Sequence, residues 1–241
     1  MIRRSSLSRS HADGRGQADS PFVSMDRMYR YQRHIYDFSR KFYLLGRDRL
    51  LGQMTVADGD NVLEVGCGTG RNLHILAKNY PNANFWGLDA SEAMLEIAIA
   101  KADSKRLTNV SFALALADEY GREKDLGCDK PFDAILFSYS ISMISTWKAT
   151  IQKAIDELRP GGRLYLVDFH DQLGLPRVFR SLLRKWLDLF GVRYPAGLLE
   201  LFDGLEGAGI GKVYVTELYR RYALVVEFTK APHPPVPNSL N

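Results

Sequence analysis

Three glycines in the stretch VLEVGCGTG, Gly66, Gly68 and Gly70, follow an apolar run and precede a helical pattern. Glycine lets a backbone turn tightly and come close to a ligand. The spacing is G-x-G-x-G. It is neither the G-x-G-x-x-G of dinucleotide binders nor a phosphate loop ending in Gly-Lys-Ser/Thr. Three carboxylates keep the loop company. Glu64 sits just inside the end of the first strand, Asp89 ends the second and Asp118 ends the third. An acid at the end of the second strand is placed to accept both hydroxyls of a ribose. Acids around a glycine loop repel a pyrophosphate and suit a cationic ligand. S-adenosylmethionine fits, with its ribose, adenine, ammonium group and sulfonium. Later in the chain, Tyr139 follows the fourth strand, and Asp168 and His170 follow the fifth. All three are expected to face one crevice, where a carboxylate or imidazole can accept a proton from a reacting amine. His170 also reads as a surface-loop histidine, and Asp118 as the start of a loop.

These residues need a scaffold of alternating strands and helices. Strands are predicted at 61–67, 83–89, 110–117, 132–140 and 163–169, with helices at 71–79, 91–104 and 147–162 between them. Ser91 is the N-cap of the second helix, and Pro160-Gly161-Gly162 stops the third. Two β-rich runs, 212–218 and 222–229, close the domain as an antiparallel hairpin through Tyr219-Arg220-Arg221. The pattern predicts an α/β fold: a doubly wound, mainly parallel, seven-stranded sheet with a C-terminal hairpin and an N-terminal helical lid. Such sheets bind ligands at the carboxyl ends of their strands.

The lid is the run 25–51. Met28, Tyr31, Ile35, Phe38, Phe42 and Leu45 recur at steps of three and four, which is one apolar helix face. Tyr29, Tyr36 and Tyr43 form a second row, with Arg27, Arg30, Arg33, Arg40, Lys41, Arg47 and Arg49 around it. A helix packed on the sheet accounts for the first row. A lid accounts for both, because aromatic faces attract cations at about 0.5–2 kcal/mol each and a lid excludes water. Tyr36 and Tyr43 are the residues placed to reach the active site.

The 241 residues carry a net charge of +4 and two cysteines, Cys67 and Cys128, without paired spacing. That excludes a disulfide framework or a zinc site of ordinary spacing and falls short of a dedicated nucleic-acid binder. One domain is expected over 25–230, between disordered tails at 1–24 and 231–241. No apolar run approaches the roughly 18–20 residues that span a bilayer. The first residues lack the apolar core of a secretory signal, so a cytoplasmic protein is expected.

With the loop, the acids, the strand order and the hairpin on the page, the chain resembles the class I S-adenosylmethionine-dependent methyltransferases. The resemblance implies that Glu64 and the Gly66–Cys67–Gly68–Gly70 backbone hold the methionine moiety. It implies that Asp89 and Ala90 take the ribose, with Met94 beside the adenine and Asp118, flanked by Ala117, on the adenine amino group. Ser138 and Tyr139 would line the methyl-donor end. The segments MDRMYRYQRHIYDFSRKFYLLGRDRLL, GCGTGRNL, SYSISMISTW and LYLVDFHDQLGLPRVFR are together similar to the N-methyltransferases of betaine-lipid synthesis. Those enzymes convert diacylglyceryl-homoserine to diacylglyceryl-trimethylhomoserine. The resemblance implies a lipid substrate at a membrane surface and a separate 3-amino-3-carboxypropyl transferase that makes it. Arg40, Arg47 and Arg177 are the candidate partners of the homoserine carboxylate.

An insertion at 170–197 carries an amphipathic helix. Phe179, Leu182, Leu183, Trp186, Leu187 and Phe190 are predicted on one face and Arg180, Arg184 and Asp188 on the other, the composition of an interfacial helix. The same pattern also suits a packing helix or a dimer contact. Two other functions remain open: a methyltransferase for a quinone or a soluble amine, and a cofactor-binding scaffold without catalysis.

Overall fold

A computed structural model of the chain describes residues 44–232. In chain order the elements are α1 (Arg47–Gln53), β1 (Asn61–Val65), α2 (Arg71–Asn79), β2 (Asn84–Asp89), α3 (Glu92–Ser104), β3 (Val110–Leu114), α4 (Arg122–Leu126) and β4 (Phe132–Ser138). A 3-10 turn at Ile141–Met143 leads to α5 (Trp147–Glu157), β5 (Leu158–Phe169), α6 (Arg177–Asp188), α7 (Leu198–Gly207), β6 (Gly211–Leu218) and β7 (Ala223–Lys230).

The seven strands form one sheet in the order β3-β2-β1-β4-β5-β7-β6. β1 to β5 pair in parallel, and β7 runs antiparallel to both of its neighbours, β5 and β6. Both faces of the sheet are covered, which is why NVLEV of β1 is buried at every position rather than at alternate ones. One face packs against Leu50, Leu73, Leu76, Leu95 and Leu187 from α1, α2, α3 and α6. The other packs against Leu126, Ile151, Ile155, Leu198 and Phe202 from α4, α5 and α7. The strand order reverses between β1 and β4, so the crevice for a ligand opens there.

Local chemistry moves several boundaries. α5 ends at Glu157, and Pro160-Gly161-Gly162 lies inside β5, where the register slips between Phe132↔Leu158 and Ala134↔Arg163. The Lys230 ammonium ends that helix by donating to the carbonyls of Ile155 and Leu158, both at 2.7 Å. β3 stops at Leu114, three residues short of expectation, which frees 115–118 to line the crevice. The expected helix 25–51 does not run through: residues 44–46 are not helical, and α1 begins after Gly46 at φ 91°. A Cβ on Gly46 would stand 2.7 Å from Leu218 Cδ1, so the chain crosses close to the end of β6 there. The remainder of the expected lid and the tail at 1–24 lie outside the described residues. At the other end Ala231 is still held, its N–H donating to Ile210 O at 2.8 Å.

Candidate active site

The glycine loop is pinned by its neighbours. The amides of Gly66 and Cys67 both donate to Leu88 O, at 2.9 and 3.0 Å. Gly66 holds φ 72°, and a Cβ there would meet Ser140 Cβ at 2.6 Å. This is a position that only glycine fills without a shift. Gly70, at φ 71°, starts α2.

Asp89 braces the loop. Its Oδ2 accepts from the Gly68 amide at 2.8 Å and its Oδ1 from the Ser91 amide at 2.9 Å. A carboxylate offers about four acceptor sites in all, and Asp89 lines the larger cleft.

Two clefts meet at Gly66. The larger, about 890 Å³ with its mouth, is lined by Gly66, Gly68, Asp89, Ala90, Met94, the 115–118 segment, Tyr139, Ser140 and the 143–146 segment. The second, about 640 Å³, is lined by Arg47, Glu64, Gly66, Cys67, Thr69, Asn72, Lys101 and Ser138, among others. Eight predicted residues therefore share the larger cleft: Gly66, Gly68, Asp89, Ala90, Met94, Ala117, Asp118 and Tyr139. Glu64, Cys67 and Ser138 line the second. Gly70 lines neither and serves the backbone of α2. Tyr36 and Tyr43 lie outside the described residues.

Glu64 is a strongly perturbed carboxylate in the second cleft. Its Oε1 accepts from Asn72 Nδ2 at 2.7 Å, while among the described residues the buried Oε2 has no hydrogen-bond partner. Burial pushes its pKa up to about 8, against the opposing pull of Asn72 and of the Arg47 guanidinium. The Ser138 hydroxyl is also buried without a partner. A cleft with an unpartnered buried carboxylate at one point and Arg47 and Lys101 at others fits an amino-acid group: its ammonium to Glu64, its carboxylate to a cation. Cys67 is inert, because burial holds its thiol well above the ordinary value.

Tyr139 adopts φ 55°, a left-handed backbone that a bulky residue rarely takes and that tends to occur at functional sites. Its hydroxyl donates to Leu45 O, and its ring meets Phe169 edge-on at 4.7 Å. Tyr139 thus ties the segment before α1 to the cleft wall.

Asp168 and His170 do not face this crevice. Asp168 is fully buried and accepts the amides of Ser142 at 3.0 Å and Phe169 at 2.8 Å, so it caps the 3-10 turn. Burial raises its pKa to about 6. His170 is 1% exposed. Its Nδ1 accepts the Asp171 amide at 2.7 Å, its Nε2 lies 3.2 Å from Glu217 Oε1, and its ring stacks on Tyr194. Next to it, the Asp171 carboxylate takes both Nε and Nη2 of Arg221. The reason is topological. β5 lies beyond β4, away from the strand-order reversal, and its last residues pair with β7 through Asp168↔Leu224 and Phe169↔Ala223. Past its end the chain is tied down by the β6–β7 turn, the His170 amide donating to Tyr222 O at 3.0 Å and the Gln172 amide to Arg221 O at 2.8 Å, and Tyr194 stacks on the His170 ring.

Ser140 and the 143–146 segment belong to the SYSISMISTW stretch that carries the resemblance, but from sequence only Ser138 and Tyr139 of that stretch were expected in the site. Ser140 lies two residues past the end of β4, and its Oγ donates to Val65 O at 2.9 Å. The 143–146 segment carries no spacing signal, because it is positioned by a turn rather than by a motif.

The profile of a methyltransferase domain matches residues 57–193. A demethylmenaquinone methyltransferase of Tropheryma whipplei is 33% identical over 130 residues, 54% of this chain and 50% of the relative. The chain spans half or less of the length of the first curated relatives it matches. Among solved structures, the fold matches a methyltransferase in complex with a methyltransferase activator of Haloferax volcanii (TM-score 0.67, 18% identity, 86% of this chain and 99% of that one). It also matches an S-adenosylmethionine-dependent methyltransferase of Aquifex aeolicus (TM-score 0.57, 18% identity, 85% and 97%). With more than half of the chain under one profile, the protein belongs to the methyltransferase domain family, whose cofactor is S-adenosylmethionine.

Proposed function

We propose that this chain is an N-methyltransferase that methylates the amino group of a lipid head group, with diacylglyceryl-homoserine as the acceptor. The observation that carries a methyl-transfer site is the pair of clefts meeting at Gly66, with carboxylates on both sides and an unpartnered Glu64 oxygen in one of them. Asp89 and Ala90 would take the ribose, Met94, Ala117 and Asp118 the adenine, and Glu64 with the glycine backbone the amino-acid end. When bound, S-adenosylmethionine supplies a methyl group made electrophilic by its sulfonium.

The chain's own residues then have to orient and enclose. Ser138 and Tyr139 stand on either side of the meeting point of the clefts, one in each. They would hold the acceptor nitrogen in line with the methyl group. Alignment of this kind supplies up to roughly 7–11 kcal/mol of a barrier. The side chains lining the larger cleft among the described residues include two carboxylates, Asp89 and Asp118, and no Lys, Arg or His. That lining favours an amine over an anionic acceptor. The first two methylations shed a proton; the third, on a tertiary amine, sheds none, so no dedicated base is needed throughout. Tyr36 and Tyr43 would close over the cleft, their ring faces toward the cationic product.

A second reading, a quinone as acceptor, is favoured by the identity to the demethylmenaquinone methyltransferase. A non-catalytic scaffold is a third, because a shared fold does not dictate chemistry. One experiment separates the three. The pure chain is given labelled S-adenosylmethionine with detergent-dispersed diacylglyceryl-homoserine, a quinone precursor or phosphatidylethanolamine. Mono-, di- and trimethylated homoserine lipid from the first alone is the expected result. Label in the quinone alone moves the assignment to the second reading, and no label anywhere with intact cofactor binding moves it to the third.

A further inference from the structure

The sequence placed Phe179, Leu182, Leu183, Trp186, Leu187 and Phe190 together on one face of the insertion helix. The structure splits them. Leu183, Trp186, Leu187 and Phe190 turn inward and join the core cluster. Val178, Leu182 and Leu189 project outward, 75%, 63% and 76% exposed, and Phe179 lies beside them, also exposed. Residues 178, 182 and 189 fall within about 40° of one another around a helix of 3.6 residues per turn, so they form one stripe. Two more exposed apolar residues, Leu173 and Tyr219, stand on the loops before and beside it.

Two bonds tie the helix and the residues after it to the rest of the domain. Arg184 Nη2 donates to Asp171 O at 2.7 Å, and the Arg193 amide donates to Ser142 O at 2.9 Å. Ser142 belongs to the 140–146 stretch that walls the larger cleft, so the segment that follows α6 is tied to the cleft wall. The charges beside it are unbalanced. Arg177, Arg184, Lys185 and Arg193 are exposed over 173–193, against one exposed acid, Asp188. None of the described helices is long and apolar enough to cross a membrane. A rigid helix with an apolar stripe and cationic flanks suits the boundary of an anionic bilayer, the stripe among the acyl chains and the cations at the phosphates.

We propose that α6 docks this chain on an anionic membrane surface through Val178, Phe179, Leu182 and Leu189, holding the cleft mouth at the level of the lipid head groups. The proposal rests on the lipid reading above. It is tested with the full chain and vesicles of phosphatidylcholine with or without phosphatidylglycerol. The variant is Val178→Glu/Leu182→Glu/Leu189→Glu, which alters only exposed positions. The wild type should float with the phosphatidylglycerol vesicles and far less with phosphatidylcholine alone. The variant should lose at least tenfold in bound fraction while keeping its melting temperature, its calorimetric affinity for S-adenosylmethionine and its transfer to detergent-dispersed lipid. Flotation of the variant equal to wild type overturns the proposal. So does a wild type that does not float while the variant loses thermal stability, because residues 25–43 of this chain would then be what covers the stripe. Flotation that depends on the stripe, with no lipid amine methylated, leaves the docking standing and removes the substrate reading instead.

Discussion

The two halves of the site are held together at different ranges along the chain. On the β1–β3 side the bonds are short in sequence: Asn72 to Glu64 across 8 residues, the Gly68 amide to Asp89 across 21, the Ser91 amide to Asp89 across 2. Beyond β4 they are long: Tyr139 to Leu45 across 94, Ser140 to Val65 across 75, Ser142 to Asp168 across 26. The first half is a self-contained unit of strand, loop and acid. The second exists only once distant parts of the chain have met.

The largest expected effect lies at Glu64, where the local half trades stability for binding. In the unfolded chain this carboxyl titrates near 4.5, and in the fold at about 8. Below the unfolded value both states hold the proton and there is no cost. As pH rises from there, the unfolded state sheds its proton first, so stability falls, and the full cost stands above the folded value. Between pH 5 and 8.5 the loss should be on the order of 2–4 kcal/mol. Thermal melts should show a steeper pH dependence in wild type than in Glu64→Gln, and the variant should bind S-adenosylmethionine more weakly. Parallel melting curves would remove Glu64 from this role.

Asp89→Ala comes next. It should weaken cofactor binding by about 1–3 kcal/mol, since both the ribose acceptor and the brace on Gly68 and Ser91 are lost. Calorimetry with unchanged affinity would break the claim that the short-range half holds the cofactor. Tyr139→Phe probes the other half. Loss of its bond to Leu45 O should cost about 0.5–1.5 kcal/mol in stability and slow transfer more than it weakens cofactor binding. An equal effect on both would mean that the halves are not separable. The smallest effect is expected at Asp168→Asn, where an amide oxygen can still accept the Ser142 amide. Turnover should change less than about threefold with the same pH profile; a fall of roughly a hundredfold or more would restore Asp168 as a general base.

The same contrast explains what could be read from the amino acids alone. Gly66, Gly68 and Asp89 were legible because they sit at or just past strand ends that the parallel sheet brings to one edge; Asp118 was found by the same rule although β3 stops four residues before it. Asp168 and His170 obey the same rule and were misplaced by it, since the rule ignores the β6–β7 turn and Tyr194, which pack over the residues that follow β5. The helix over 25–51 was drawn from periodicity, which registers apolar spacing but not the left-handed turn at Gly46. On α6, periodicity found the helix but not its orientation. Which part of a broad apolar face turns inward is set by tertiary bonds such as those of Arg184 to Asp171 O and of the Arg193 amide to Ser142 O.

The place of β7 also bears on how the chain is made. It is the last strand in sequence, yet it lies between β5 and β6 rather than at the rim. During synthesis the edge of β5 stays open until residues 223–230 have left the ribosome. An open edge on a nascent chain is a template for mispairing. The brace of Asp171 on Arg221, at the turn just before β7, is positioned to guide that strand into its slot as soon as it emerges.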